Sequence, residues 1–268
     1  MHTDAVQETE VTRRHFLEAA TRGGAAMLVG ACSSDDVTDS SQSATTTAPL
    51  NQPSPSGTDA PTPFTQPNAL ASQNGFLEVV LRAEESAVPW NGSTRYALTY
   101  NGTTPGPTLR VQPGDRLQIR LENRLDEPTN LHTHGLHVSP DGDGDNVFIA
   151  VPPGEDRTYV YEIPDDHRSG LFWYHPHAHG TVARQLAGGL AGAIVVTDSI
   201  DDIAELTGSN ERILVLADPP IGERRGVLDV GAMEQMTGRE GDVVLVNGVA
   251  SPDVPTRAGE LERWRVVN

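Results

Sequence analysis

Between Phe76 and Thr197 the chain is written in short runs that alternate apolar with polar residues and are broken by turn residues. In RLQIRLEN, Leu117, Ile119 and Leu121 point one way, while Arg116, Gln118, Arg120 and Glu122 point the other. That period of two marks a half-buried strand, because successive side chains on a strand leave opposite faces. FLEVVLR, RYALTY, TLRV, NLHTH, RTYVYEI, GLFWYH and GAIVVT complete the set, separated by NGTTPGP, QPGD and PPGED. The Asn-Gly and Pro-Gly pairs in those separators suit tight turns. So many short strands at this spacing predict an all-β fold, a Greek-key β-sandwich over residues 76–198, with a short helix near 180–186 ahead of the last strand.

A second β pattern follows over residues 199–268, in RILVLA, DVVLVNG and ERWRVVN. Its apolar runs are too few to close a sandwich of their own, and an unpaired strand at the edge of an incomplete sheet invites association. We therefore expect residues 199–268 to begin a second domain that a further C-terminal domain or a complementing chain would finish.

The N-terminus reads differently. VTRRHFLEAATRGGAAMLVGAC sets Arg13 and Arg14 before Phe16 and Leu17 and ends in VGAC, a lipobox-like tetrapeptide closing on Cys32. The weakly apolar stretch carries Arg22 and is too short for a spanning helix, which needs about 20 apolar residues. Residues 1–32 are read as a twin-arginine export signal with lipid attachment at Cys32, which places the protein in the periplasm or another extracytoplasmic compartment. Residues 33–75, rich in Ser, Thr, Pro and Gln, are read as a disordered tether able to span roughly 35 Å. Cys32 is the only cysteine, so no disulfide closes within the chain and nothing downstream offers a thiolate to a metal. A formal charge of -18 argues against nucleic acid as a partner, since an acidic body is repelled by phosphate.

Chemistry is concentrated in two histidine pairs. NLHTHGLHV carries His132 and His134, and GLFWYHPHAHG carries His175 and His177, out of nine histidines in 268 residues. Residues two apart on a strand share a face at a separation of about 6.6 Å, so each pair more naturally serves two metal ions than one. Four neutral imidazoles converging from two strands suit Cu, Zn, Fe or Ni. His137 has the opposite parity to His134, and His179 lies beyond Pro176, where the strand should be ending. Both are placed outside the ligand set.

These stretches, with YNGTTPGPTLRVQPGDRLQIRLENRL and LAGGLAGAIVVTD, resemble the first cupredoxin domain of the multicopper oxidases, laccases among them, and VLVNGVASPDVPTRAGELERWRVVN is similar to the opening of their second domain. The resemblance implies a cupredoxin-like sandwich followed by an incomplete second one. It implies His132 on a type 2 copper and His134, His175 and His177 on a type 3 pair, together half of the ligands of a trinuclear copper cluster. It further implies one-electron oxidation of a small reducing substrate (a phenol, a metal ion or a pigment) coupled to four-electron reduction of O2 to water. The family's type 1 copper needs a cysteine and histidines that are not found after His179, so this chain by itself is expected to be inactive. An aspartate near such a cluster delivers protons in the family. Asp143 of DGDGDN is our choice, with Asp141 and Asp145 as rivals.

Other readings of the same residues fit less well. A cupin would place a glutamate soon after its H-x-H, where Val138, Ser139 and Pro140 stand, and a copper nitrite reductase would need a cysteine in this domain. DGDGDN departs from a calcium loop, with Asn146 in place of the turn glycine and Pro152 in place of the bidentate glutamate. A non-catalytic exported copper-binding or copper-assembly protein is the alternative to an oxidase.

Overall fold

The structure, a computed structural model, describes residues 62–90, 93–197, 210–219, 241 and 243–268. The export signal and most of the tether lie outside the described residues. Two sheets form the first domain. One is ordered β1-β4-β9-β8-β6, comprising Ala69–Ala71, Thr108–Val111, Gly192–Val196, Gly170–His175 and His132–His134. The other is ordered β3-β2-β5-β7, comprising Ser93–Tyr100, Phe76–Trp90, Arg116–Asn123 and Asp156–Glu162. Their inner faces share one core in which Leu81, Leu117, Ile119, Leu121, Tyr159, Tyr161 and Tyr174 have no exposure at all. The all-β sandwich read from the sequence is the fold, and the helix α1 (Val182–Gly188) precedes β9 as expected.

GAIVV is buried at every position of β9, and the reason is that both of its faces are covered. Ile194 and Val196 point into the first core, while Ala193 and Val195 join Ile213, Val215 and Val267 in a second cluster. A strand buried on both faces reads as a continuous apolar run rather than as an alternating one. The covering sheet, ordered β12-β11-β10-β13, contains Val249–Ala250, Leu245–Val246, Asn210–Ala217 and Glu262–Val267. Asn247 and Gly248, both at positive φ, turn β11 into β12, as the Asn-Gly pair of a tight hairpin should. Glu211 ties this sheet to the first, pairing with Arg110 on β4 and with Arg265 at 2.6 Å.

Two boundaries differ from the sequence reading. Composition extends the tether to residue 75, yet β1 pairs in parallel with β4 through Ala69↔Thr108 and Leu70↔Leu109. Pro63 bridges Asp253, and the Phe64 N–H donates to the Asp253 carbonyl at 3.1 Å. A Pro- and Thr-rich stretch has no periodicity to betray such backbone pairing, which neighbouring strands impose. The second difference is β2, which runs on to Trp90 because β3 pairs with it along its whole second half, from Ala83↔Tyr100 to Trp90↔Ser93.

Candidate metal centre

The site grows from the antiparallel pairing of β6 with β8. The register is His132↔His175, Thr133↔Tyr174 and His134↔Trp173, and directly opposed residues share a face. One face therefore carries Thr133 and Tyr174, both buried in the core. The other carries His132, His134, Trp173 and His175. Tyr174 anchors the pair, its hydroxyl donating to the Pro107 carbonyl at 2.8 Å. Gly192 leaves room for its ring, since a Cβ there would lie 2.2 Å from the phenol. Gly135 follows His134 at φ +86, a backbone conformation that suits glycine and turns the chain away immediately after the second histidine.

His132, His134 and His175 each offer a ring nitrogen, all within 4.8 Å of one another. His175 Nε2 and His134 Nδ1 lie 3.4 Å apart. The His177 ring stands beside them, 5.1 Å from His132 and 6.0 Å from His175 between centroids. Two of the other ring nitrogens already have partners. His132 Nδ1 meets Asp145 Oδ2 at 2.8 Å, and His175 Nδ1 meets the Pro176 carbonyl at 2.8 Å. Each contact fixes a tautomer with Nδ1 protonated and Nε2 left as a lone-pair donor, the arrangement a metal-ligating histidine uses. Trp173 stacks on His175 at 4.1 Å and on His134 at 4.9 Å, which limits how far either ring can swing.

Burial pushes the His175 pKa down to about 4, and the neighbouring imidazoles of His132, His134 and His177 add to the fall, against the opposing pull of the Pro176 carbonyl. A buried imidazole among three others stays neutral at physiological pH, and neutral is the ligating form. Several imidazole nitrogens, no thiolate and a carboxylate held behind one ring suit copper or zinc. The donor set thus fits the copper that the sequence resemblance implied.

The remaining candidates are placed as follows. Asp143 is exposed and paired with Arg157 at 2.8 Å. It is Asp145 that reaches the histidines, its second oxygen accepting the Thr133 N–H at 2.8 Å. Asp141 lies exposed, its N–H donating to the Ser139 hydroxyl. The side chains of His137 and His179 are exposed and stand apart from the grouped nitrogens. Gln185 carries no sequence signal of its own: fully buried on α1, it accepts from the Thr129 hydroxyl at 2.7 Å and donates to the Glu127 carboxylate and the Pro128 carbonyl. It binds the helix that follows the second histidine pair to the segment that leads into the first. A cleft of about 820 Å³ lined by α1, the turn over residues 102–105 and the β10–β11 strands has Trp173 in its wall but none of the four histidines.

Two packed sheets with an imidazole face at the end of a strand pair define a cupredoxin-type metal protein. Residues 82–201 match the family model described as multicopper oxidase, and the cupredoxin domain of this chain belongs to that family. The chain is 32% identical over 197 residues to the multicopper oxidase mco of Staphylococcus epidermidis, covering 73% of this chain and 43% of that protein. Among solved structures, a multicopper oxidase of Campylobacter jejuni described as a metallo-oxidase matches with a TM-score of 0.57 and 33% identity, over 70% of this chain and 41% of that one. A laccase of Pediococcus acidilactici matches with a TM-score of 0.63 and 25% identity, over 72% and 43%. The chain thus spans less than half the length of these relatives.

Proposed function

We propose that this chain supplies the first copper-binding domain of an oxidase that couples one-electron oxidation of a small reducing substrate to the reduction of O2 to water. The observation that carries this reading is the gathering of the His132, His134 and His175 nitrogens within 4.8 Å across one strand pair, in a domain of the multicopper oxidase family. His132 is assigned to a type 2 copper, and His134, His175 and His177 to the type 3 pair. The 3.4 Å approach of His134 to His175 supports those two sharing one ion. Bound copper would supply the one-electron steps and the place where O2 is reduced. The residues of this chain do the rest: Asp145 holds the His132 tautomer, Trp173 braces two rings, and burial keeps His175 unprotonated. Asp145 also takes the proton-holding role, because it touches a ligand and Asp143 does not. The remaining copper ligands come from a further segment or a complementing chain. Phenols, metal ions and pigments are the substrate classes, with oxidation of metal ions favoured by the likeness to the Campylobacter enzyme. Export by the twin-arginine route and anchoring through Cys32 belong to the same proposal, and Arg13, Arg14 and Cys32 lie outside the described residues.

Copper titration of the chain tests the site, with electron paramagnetic resonance reading the nitrogen ligands. His134→Ala and His175→Ala should each remove an imidazole from the copper spectrum, whereas His179→Ala should leave it unchanged. Copper binding indifferent to both His134→Ala and His175→Ala would overturn the assignment.

A further inference from the structure

Of the four histidines, three are held by strand pairing and one is not. His132, His134 and His175 lie in the β6–β8 ladder, which ends at His175. Pro176 follows and has no N–H to extend it. The His177 N–H therefore falls outside the sheet, and a backbone donor left without a partner is costly. Its partner is a side chain, because the His177 N–H donates to Asn130 Oδ1 at 2.5 Å.

Asn130 has no exposure and stands two residues before His132 on the segment entering β6. Its amide nitrogen uses both hydrogens on the acidic loop, donating to the Val147 carbonyl at 3.0 Å and the Ile149 carbonyl at 2.9 Å. Those carbonyls lie two and four residues beyond Asp145, whose carboxylate holds His132 Nδ1. Oxygen and nitrogen of one planar amide thus grip the two segments that carry His177 and Asp145. A buried amide with three backbone partners has one orientation, since rotating it would set its NH2 against the His177 N–H and its oxygen against two carbonyls.

We propose that Asn130 is a positioning residue that does for His177 what the β ladder does for the other three histidines, and that through the acidic loop it sets His177 against the Asp145-held His132. Its bearing on copper rests on the metal-site reading above.

The test uses the full chain, with Cu(II) as the probe. In 15N-labelled protein without metal, the His177 amide proton should resonate downfield, as a short hydrogen bond to the buried Asn130 side chain requires. Asn130→Ala should move it upfield, while Asn130→Asp, which keeps the acceptor and gives up both donors, should leave it downfield. Asn130→Ala should weaken Cu(II) binding about 10–100-fold, the scale for loss of a ligand's support. In a His177→Ala background the same change should cost less than about threefold, because a positioning residue has nothing to act on once its histidine is gone. An unchanged His177 amide in Asn130→Ala overturns the proposal. So does an upfield shift in Asn130→Asp as large as that in Asn130→Ala, or an equal copper penalty in both backgrounds. Should copper bind without any of the histidines, the metal-site reading falls, while the amide shifts still decide whether Asn130 holds His177.

Discussion

In the first sandwich the inner faces of both sheets are closed against each other, and Leu81, Ile119 and Tyr174 have no exposure. In the second sheet Ile213, Val215 and Val267 pack on the first sheet, but Trp264 and Val266 on β13 remain 48% exposed. Strands of similar composition thus end in different conditions, since β9 has a packed layer on each face while β13 leaves Trp264 and Val266 half in water. The four histidines belong to the closed region. His132, His134 and His175 sit on the outer face of a strand pair whose inner face is locked by Tyr174 and Thr133, so their spacing is inherited from a packed core, and His177 follows two residues beyond the end of β8. A metal centre needs its donors held to within fractions of an ångström, and a closed sandwich offers that rigidity where a half-covered sheet does not.

The largest effect should come from breaking the closed region. Tyr174→Ala removes a fully buried ring and leaves the Pro107 carbonyl without its donor. A cost of about 3–5 kcal/mol is expected, as for other large-to-alanine changes in cores, and the His177 and His175 rings should lose their ordered geometry with it. Trp264→Ala on the half-covered sheet should cost under about 1 kcal/mol, since little area leaves a packed environment. Urea unfolding of the two variants side by side checks the contrast, and equal costs would show that the second sheet is no less integral to the fold than the first.

Next in size is the support behind a ligand. Asp145→Ala should lower copper affinity about 10–100-fold, for it frees His132 Nδ1 and strips the Thr133 N–H of its acceptor. Stability should fall less than in Tyr174→Ala. Isothermal titration with Cu(II) reads the first quantity and thermal unfolding the second. A variant that binds copper as the parent does would remove Asp145 from the site.

His175 gives the comparison a pH axis. Its folded pKa is depressed from 6.5 to about 4, first by burial and then by the other imidazoles. Below about pH 6.5 the unfolded chain therefore takes up a proton that the folded chain refuses, so stability contributed by neutral His175 is present above that pH and is lost as pH falls toward 4. The metal-free chain should show a falling thermal midpoint over that window, flattened in His175→Phe, which keeps an aromatic ring between Trp173 and His132. An identical slope in both proteins would assign the acid sensitivity to other groups.

The strands of the first sandwich were legible because alternation is imposed by burial on one face, and the doubly buried GAIVV because a continuous apolar run needs cover on both. The H-x-H pair of β6 announced an imidazole face for the same reason, as parity sends both of its members to one side, whereas His177 lies beyond the end of β8. What escaped detection is set by tertiary backbone contacts. Ala69–Ala71 became a strand because Thr108–Arg110 offered it hydrogen bonds, and nothing in its own residues required that. Asn130 and Gln185 looked like ordinary polar residues until the chain brought carbonyls and amides to them. The order of the three aspartates could not be read from DGDGDN either, because alternation with glycine leaves each one equally free to turn inward.

That loop supplies the smallest predicted effect and the sharpest use of the comparison within the closed region. Gly144 is buried where a Cβ would come within 2.2 Å of the Ser139 carbonyl, so the loop crosses itself tightly between Asp143 and Asp145. The crossing turns the two carboxylates to different surroundings. Asp145 goes inward to His132 and Thr133, and Asp143 outward to Arg157, with 67% of its side chain exposed. An exposed ion pair is worth about 0–1 kcal/mol, and the other tie of Asp143, its carbonyl accepting the Val160 N–H, belongs to the backbone. Asp143→Asn should therefore leave copper affinity within about twofold of the parent, while Asp145→Asn, which keeps the shape and gives up the charge behind His132, should weaken it measurably. Copper titration of the two asparagine variants, two positions apart in one loop, settles which carboxylate belongs to the site. A loss at Asp143 as large as that at Asp145 would mean that the loop acts as a unit and that neither side chain has a separate role.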